Sequence, residues 1–111
     1  MTAPALKERH TLSARNIERT IKRKSAGVYV LSSVVDGVAS VRLVGRSDDD
    51  VGAHLKGCVG LYSQFAFVYA SSPKNAYEME CEIYHSIKPP ENNKHPARPR
   101  DAEWICPVCG Q

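Results

Sequence analysis

Nothing constrains this chain more than the stretch Gly27–Gly45, GVYVLSSVVDGVASVRLVG. Two β-branched-rich runs flank Asp36-Gly37, and an Asp-Gly pair in that setting predicts a β-hairpin, because glycine accepts the positive φ of a primed two-residue turn. The first strand is expected over roughly Val28 to Ser32 and the second over roughly Ala39 to Val44. Side chains alternate along a strand, so Tyr29 and Leu31 share one face and Val28 and Val30 the other. On the second strand, Val41 and Leu43 are expected on one face, Arg42 and Val44 on the other. The first strand is apolar on both sides, so both faces of its sheet need cover, and helices must supply it.

The rest of the chain offers those helices. From Ser13 to Lys24, Ile17 and Ile21 lie four apart among basic residues, which predicts a short surface helix capped by Ser13 or Thr11. Residues 1–10 read as an arm, with His10 carrying no role. Ser47-Asp48-Asp49-Asp50 has N-cap chemistry for a second helix from about Asp49 to Gly57, carrying Val51, His54 and Leu55 and stopped by Gly57 and Gly60. The run QFAFVYA, residues 64–70, is the third strand. Ser72-Pro73 opens the most legible helix, which ends near Lys88 ahead of Pro89-Pro90. At about 100° per residue, Ala76, Ile83 and Ile87 form its apolar stripe. Met79 flanks that stripe, Glu80 lies beside it, and Glu78 and Glu82 project to the far side.

The expected architecture is α/β of the α+β kind: a small three-stranded antiparallel sheet flanked by helices, in the order helix-strand-strand-helix-strand-helix, with an irregular C-terminal tail. With 111 residues the chain suits one domain. Its parts are a basic arm and helix (1–26), a central domain (27–88), and a Pro-rich connection with a Cys-x-x-Cys tail (89–111) packed on the same body. No apolar run is long enough to span a bilayer and no secretory leader is evident, so a cytoplasmic location with no membrane partner is expected. Residues 1–26 hold seven basic residues against Glu8 and Glu18, whereas the remainder carries a net −2. Such a basic cluster either attracts a phosphate backbone or forms a solvated helix face; charge alone does not choose.

The order of elements, with the clusters Gly27-Val28-Tyr29 and Leu43-Val44-Gly45 and the helix NAYEMECEIYH, resembles the GIY-YIG nuclease family across about residues 27–88. The resemblance implies a nucleic-acid partner, DNA foremost, and Mg²⁺-dependent phosphodiester hydrolysis. Carried over, Tyr29 matches the tyrosine of GIY, Gly45 the glycine of YIG, and Glu80 the metal-binding glutamate. Leu43 stands where the second tyrosine belongs and His54 where a helical arginine belongs, with Arg46 a second source of the cation. In these roles Tyr29 orients or deprotonates the attacking water, Glu80 holds Mg²⁺, and His54 or Arg46 stabilises the phosphoryl oxygens. That reading requires Tyr29 and Glu80 to line one concave surface.

A second constellation has metal-ligand spacing. Cys106 and Cys109 form a Cys-x-x-Cys pair suited to one tetrahedral Zn²⁺, and Cys81 and His85, four apart on the last helix, project from one face. Cys81, His85, Cys106 and Cys109 would give a Cys₃His site. His95, in the connection, is a rival ligand that would give Cys₂His₂ with His85. Outside a secretory context, structural zinc is a better reading of these cysteines than two disulfides or a redox pair, and Cys58 reads as a buried apolar residue. Two other functions stay open: a catalytically silent nucleic-acid-binding module on the same fold, and a zinc-stabilised protein-interaction domain.

Overall fold

The hairpin forms about its Asp-Gly pair. In the computed structural model, which describes residues 8–92 and 94–110, strands β2 (Gly27–Val35) and β3 (Val38–Ser47) join through Asp36 and Gly37 at φ +52° and +77°. Paired positive values of this kind define the I′ turn. Both strands run further towards the turn than expected, since cross-strand pairing continues to Val35 and Val38. Around the hairpin lie β1 (His10–Thr11), helix α1 (Ala14–Thr20), helix α2 (Val51–Lys56), strand β4 (Gln64–Tyr69) and helix α3 (Pro73–Ile87). The class is α+β, with every strand pair antiparallel and the order β1-β4-β2-β3.

Among the described residues the sheet has four strands rather than three. His10 and Thr11 pair with Phe65 and Gln64, and the His10 ring lies 5.2 Å from that of Phe65. The arm expectation therefore fails at His10, because two residues that complete a neighbour's ladder are too few to show a period. Its earlier part, residues 1–7, lies outside the described residues. The alternation along β3 also differs. Leu31 pairs with Leu43 but Ser32 pairs with Val41, so Arg42 is an extra residue in the ladder. A bulge of this kind switches the face of what precedes it, and Val41 packs beside Val28 and Val44 instead of sharing a face with Leu43.

Each face of the sheet has its own core. Ala26, Val28, Val30, Val44 and Ala66 pack against Ala76 and Ile83 of α3. On the opposite face Tyr29, Leu31 and Phe65 pack against Ile17, Val51 and Leu55 from α1 and α2. The caps are those expected: Ser13 Oγ accepts the Asn16 amide at 3.1 Å, Asp50 Oδ1 the Ala53 amide at 3.0 Å, and Ser72 Oγ the Asn75 amide at 3.0 Å. Helix α1 is shorter than expected and stops at Thr20, leaving Lys22, Arg23 and Lys24 outside it. On α3, Ile87 is 46% exposed, so the stripe buried on the sheet closes at Ile83. Glu82 is buried rather than projecting into solvent, and burial pushes its carboxyl above the usual range.

Among the described residues the tail has no helix or strand, and it is tied to the body by specific contacts. The Glu91 amide donates to Arg42 O at 3.0 Å, and the Asn92 side chain accepts from the Val44 amide at 2.7 Å and donates to its carbonyl at 3.0 Å. Asn92 thus serves as a one-residue strand on the outer edge of β3. Further on, the Trp104 ring packs at a 41° tilt against that of Tyr77, centroids 5.6 Å apart, and Cys106 buries itself with Tyr77 and Cys81. Among the described residues no helix is long and apolar enough to cross a membrane.

Candidate functional site

Beside Gly45 and Arg46 of the edge strand opens a cleft of about 610 Å³, lined by Tyr29, Gly45, Arg46, Asp48, Asp49, His54, Glu80 and Ala97. Tyr29 belongs to the sheet face covered by α1 and α2, whereas Arg46 pairs across from Val28 and meets α3 on the other face. The two groups share the cleft because β3 is outermost and Gly45 has no side chain. A Cβ built on Gly45 would lie 2.6 Å from both Cζ and Oη of Tyr29. Gly27 is required for a similar reason: a Cβ there would meet Val68 O at 2.8 Å and Val51 Cβ at 3.0 Å. One glycine admits the tyrosine ring and the other lets α2 approach the sheet. Gly45→Ala should therefore displace Tyr29 at a cost of about 1–3 kcal/mol. Urea unfolding would register this as a lower midpoint, and an unchanged midpoint would contradict the ring placement.

The Tyr29 hydroxyl is held protonated well above the usual tyrosine range, first by burial, then by the nearby Cys58 and Glu80. Its ring lies 6.4 Å from that of His54, whose carbonyl accepts from the nearby Cys58 thiol at 3.5 Å. Cys58 is half-buried against the same core instead of being fully enclosed. Arg46 is the most connected group of the cleft. Nη1 donates to Glu80 Oε1 at 2.6 Å, Nε to Asp48 Oδ1 at 3.0 Å, and Nη2 to the Ala97 carbonyl, while the guanidinium sits 5.2 Å from the Tyr77 ring centroid. Burial pushes the Glu80 carboxyl up, and Arg46 offsets part of that rise. Leu43 is partly buried in the α1/α2 core and presents no hydroxyl.

A different group of four converges in the tail. Ligand atoms of His85, His95, Cys106 and Cys109 all lie within 4.8 Å of one another, a Cys₂His₂ cluster that could hold a metal ion. His85 Nε2 is buried with no hydrogen-bond partner, which is costly for a ring nitrogen unless something coordinates it. His95 Nδ1 lies 3.0 Å from Pro96 O; donation there leaves Nε2, 3.5 Å from Cys109 Sγ, with a free lone pair. Burial raises the Cys106 thiol, but the Cys109 and Val108 amides and His95 outweigh it, bringing the group down to about 6 and so to thiolate at neutral pH. The Gly110 amide closes the Cys-x-x-Cys turn on Cys106 O at 3.0 Å, with Gly110 at φ +73°.

Cys81 is not in this cluster, so the structure assembles the His95 alternative and not the Cys₃His set. Burial, the largest influence on its thiol, holds it up to about 12, and it stays a neutral packing group between Tyr77 and Cys106. His95 is brought to His85, ring centroids 5.2 Å apart, by the turns of the proline-rich connection. Sequence reasoning also missed Asp48, Asp49 and Ala97 as cleft residues. Asp48 was legible in principle, as an acid two residues after Arg46; Ala97 gives no sequence signal, since its backbone carbonyl makes the contact. No family of known proteins, no curated protein and no solved structure was found to match this chain.

Proposed function

We propose that the cleft hydrolyses nucleic-acid phosphodiesters, DNA foremost, as a GIY-YIG-type site that takes Mg²⁺ at Glu80, and that the Cys₂His₂ cluster is a structural zinc site. One observation carries the first part: Tyr29, Arg46, His54 and Glu80, scattered over fifty residues, meet in one cleft. The donor set suits Mg²⁺, which needs only one or two carboxylates and fills its other positions with water and phosphate oxygens. Glu80 provides the deepest carboxylate, with Asp48 and Asp49 on the same wall. The zinc assignment rests on ligand softness and spacing, since tetrahedral zinc keeps thiolate and imidazole ligands roughly 3.4–3.8 Å apart.

Bound Mg²⁺ neutralises charge on the phosphate and its leaving oxygen. The residues divide the remaining work. Tyr29, held protonated, orients a water by hydrogen bonding instead of deprotonating it. His54, exposed on the rim, offers an imidazole nitrogen to accept that water's proton or to contact a phosphoryl oxygen. Arg46 supplies a fixed cation to the oxygens that gain charge.

A second reading is favoured by the 2.6 Å Arg46–Glu80 pair. It already neutralises the carboxylate, as a catalytically silent nucleic-acid-binding surface would. Incubating the protein with single-stranded, duplex and branched DNA and with RNA, with and without Mg²⁺, separates the two. Cleavage that needs Mg²⁺ and disappears in both Tyr29→Phe and Glu80→Ala supports the enzyme. Salt-sensitive binding without cleavage supports the silent module, and neither cleavage nor binding leaves a protein-interaction domain.

A further inference from the structure

A separate groove of about 280 Å³ also borders α2, floored by Ile17, Ile21 and Gly52 and lined by Lys22, Arg23, Lys24 and Lys56. We propose that this groove binds the phosphate backbone of the nucleic acid whose reacting phosphate lies in the cleft, a proposal that rests on the nucleic-acid reading given above. The three consecutive cations do not belong to a solvated helix face, because α1 stops at Thr20. They sit on a loop that Tyr69 clamps: its hydroxyl accepts the Lys22 amide at 2.8 Å, and its ring carries the Arg23 guanidinium at 4.0 Å. The two carboxylates in the lining are already engaged, Glu18 with Lys56 Nζ at 3.2 Å and Asp50 with the Ala53 amide at 3.0 Å. Lys56 is therefore balanced by Glu18, and the three consecutive cations Lys22, Arg23 and Lys24 face one remaining carboxylate, Asp50, which caps α2. Fixed cations over an apolar floor suit a polyanion, and α2 places them beside the cleft, since Ala53 lines the groove and the next residue, His54, lines the cleft. A strand crossing α2 touches both.

The test compares wild type, the triple variant Lys22→Gln/Arg23→Gln/Lys24→Gln and a control triple, Lys74→Gln/Lys88→Gln/Arg100→Gln, whose side chains are exposed elsewhere. Thermal melts check that all three fold. Binding of fluorescein-labelled duplex DNA is followed by anisotropy across a salt series. Each phosphate contact contributes about 0.9 to the slope of log K against log salt. The groove variant should therefore flatten that slope by roughly 2–3 and lose about 10-fold or more in affinity at low salt, with the control unchanged. If wild type binds and the groove variant matches it in slope and affinity, the groove proposal falls while the nucleic-acid reading stands. If wild type binds no nucleic acid, or binds only vesicles of anionic phosphatidylserine, both fall together.

Discussion

Replacing Glu80 by glutamine is expected to lower Mg²⁺-dependent cleavage by about 100-fold or more, the usual cost of removing one electrostatic contact to a reacting phosphate. The substitution keeps the shape and an acceptor oxygen for Arg46 but removes the charge that the proposed Mg²⁺ site would need. Arg46 retains Asp48 and the Ala97 carbonyl, so the fold should survive. Breaking a buried ion pair costs about 3–5 kcal/mol, and glutamine should lose less than that because the Arg46 hydrogen bond can persist. Single-turnover rates beside urea unfolding separate the two effects: a stable variant that cuts at the wild-type rate would remove Glu80 from the chemistry. Tyr29→Phe provides the matching probe on the other wall of the cleft. Since the hydroxyl titrates above the usual tyrosine range, wild-type activity should show no loss as pH falls from 9 to 7 that could be assigned to Tyr29.

The largest effect on stability is expected from the tail. A structural zinc site links metal binding to folding, and the described residues of the tail meet the body through a few hydrogen bonds, the Trp104–Tyr77 ring contact and the Cys106 packing. Removing the metal with a chelator should loosen these contacts and lower the melting midpoint by about 10 °C, equivalent to roughly 2 kcal/mol in a domain of this size. Elemental analysis should find one zinc per chain in wild type and none in Cys109→Ser or His95→Ala. Cys81→Ala should retain its zinc despite a lower midpoint, because its side chain is packing. A metal-free wild type with the same midpoint as the loaded protein would end the zinc assignment. The zinc-free Cys109→Ser variant, assayed in Mg²⁺, should also cut more slowly, since the loop that carries His95 carries Ala97, the acceptor for Arg46.

The elements legible from sequence were those with a local cause. Asp36-Gly37 dictates its turn by backbone sterics, Ser72-Pro73 its helix start by capping, and the two-sided apolar pattern of β2 demands helices on both faces. The resemblance to the GIY-YIG family pointed to Tyr29, Gly45 and Glu80, which share the cleft. What remained hidden was non-local. The bulge at Arg42 depends on how two strands fit, β1 exists only because β4 has an edge to fill, and Glu82 is buried although its helix period points it away. The choice between Cys81 and His95 turned on the path of a proline-rich segment without periodicity. Spacing on one helix favoured Cys81, and burial of its thiol against Tyr77 set it aside.

The single side chain of Asn92 has a bearing on how this protein behaves at high concentration. β3 is the longest strand and lies at the edge of the sheet, and an uncovered edge is a template for another chain's strand. Glu91 and Asn92 occupy its hydrogen-bonding groups at Arg42 and Val44. Detaching the tail would free those groups beside the exposed Val35 and Val38 of the hairpin tip. Light scattering should then rise with concentration in Asn92→Ala and in chelated protein, and stay flat in the intact form, making the tail a guard against self-association.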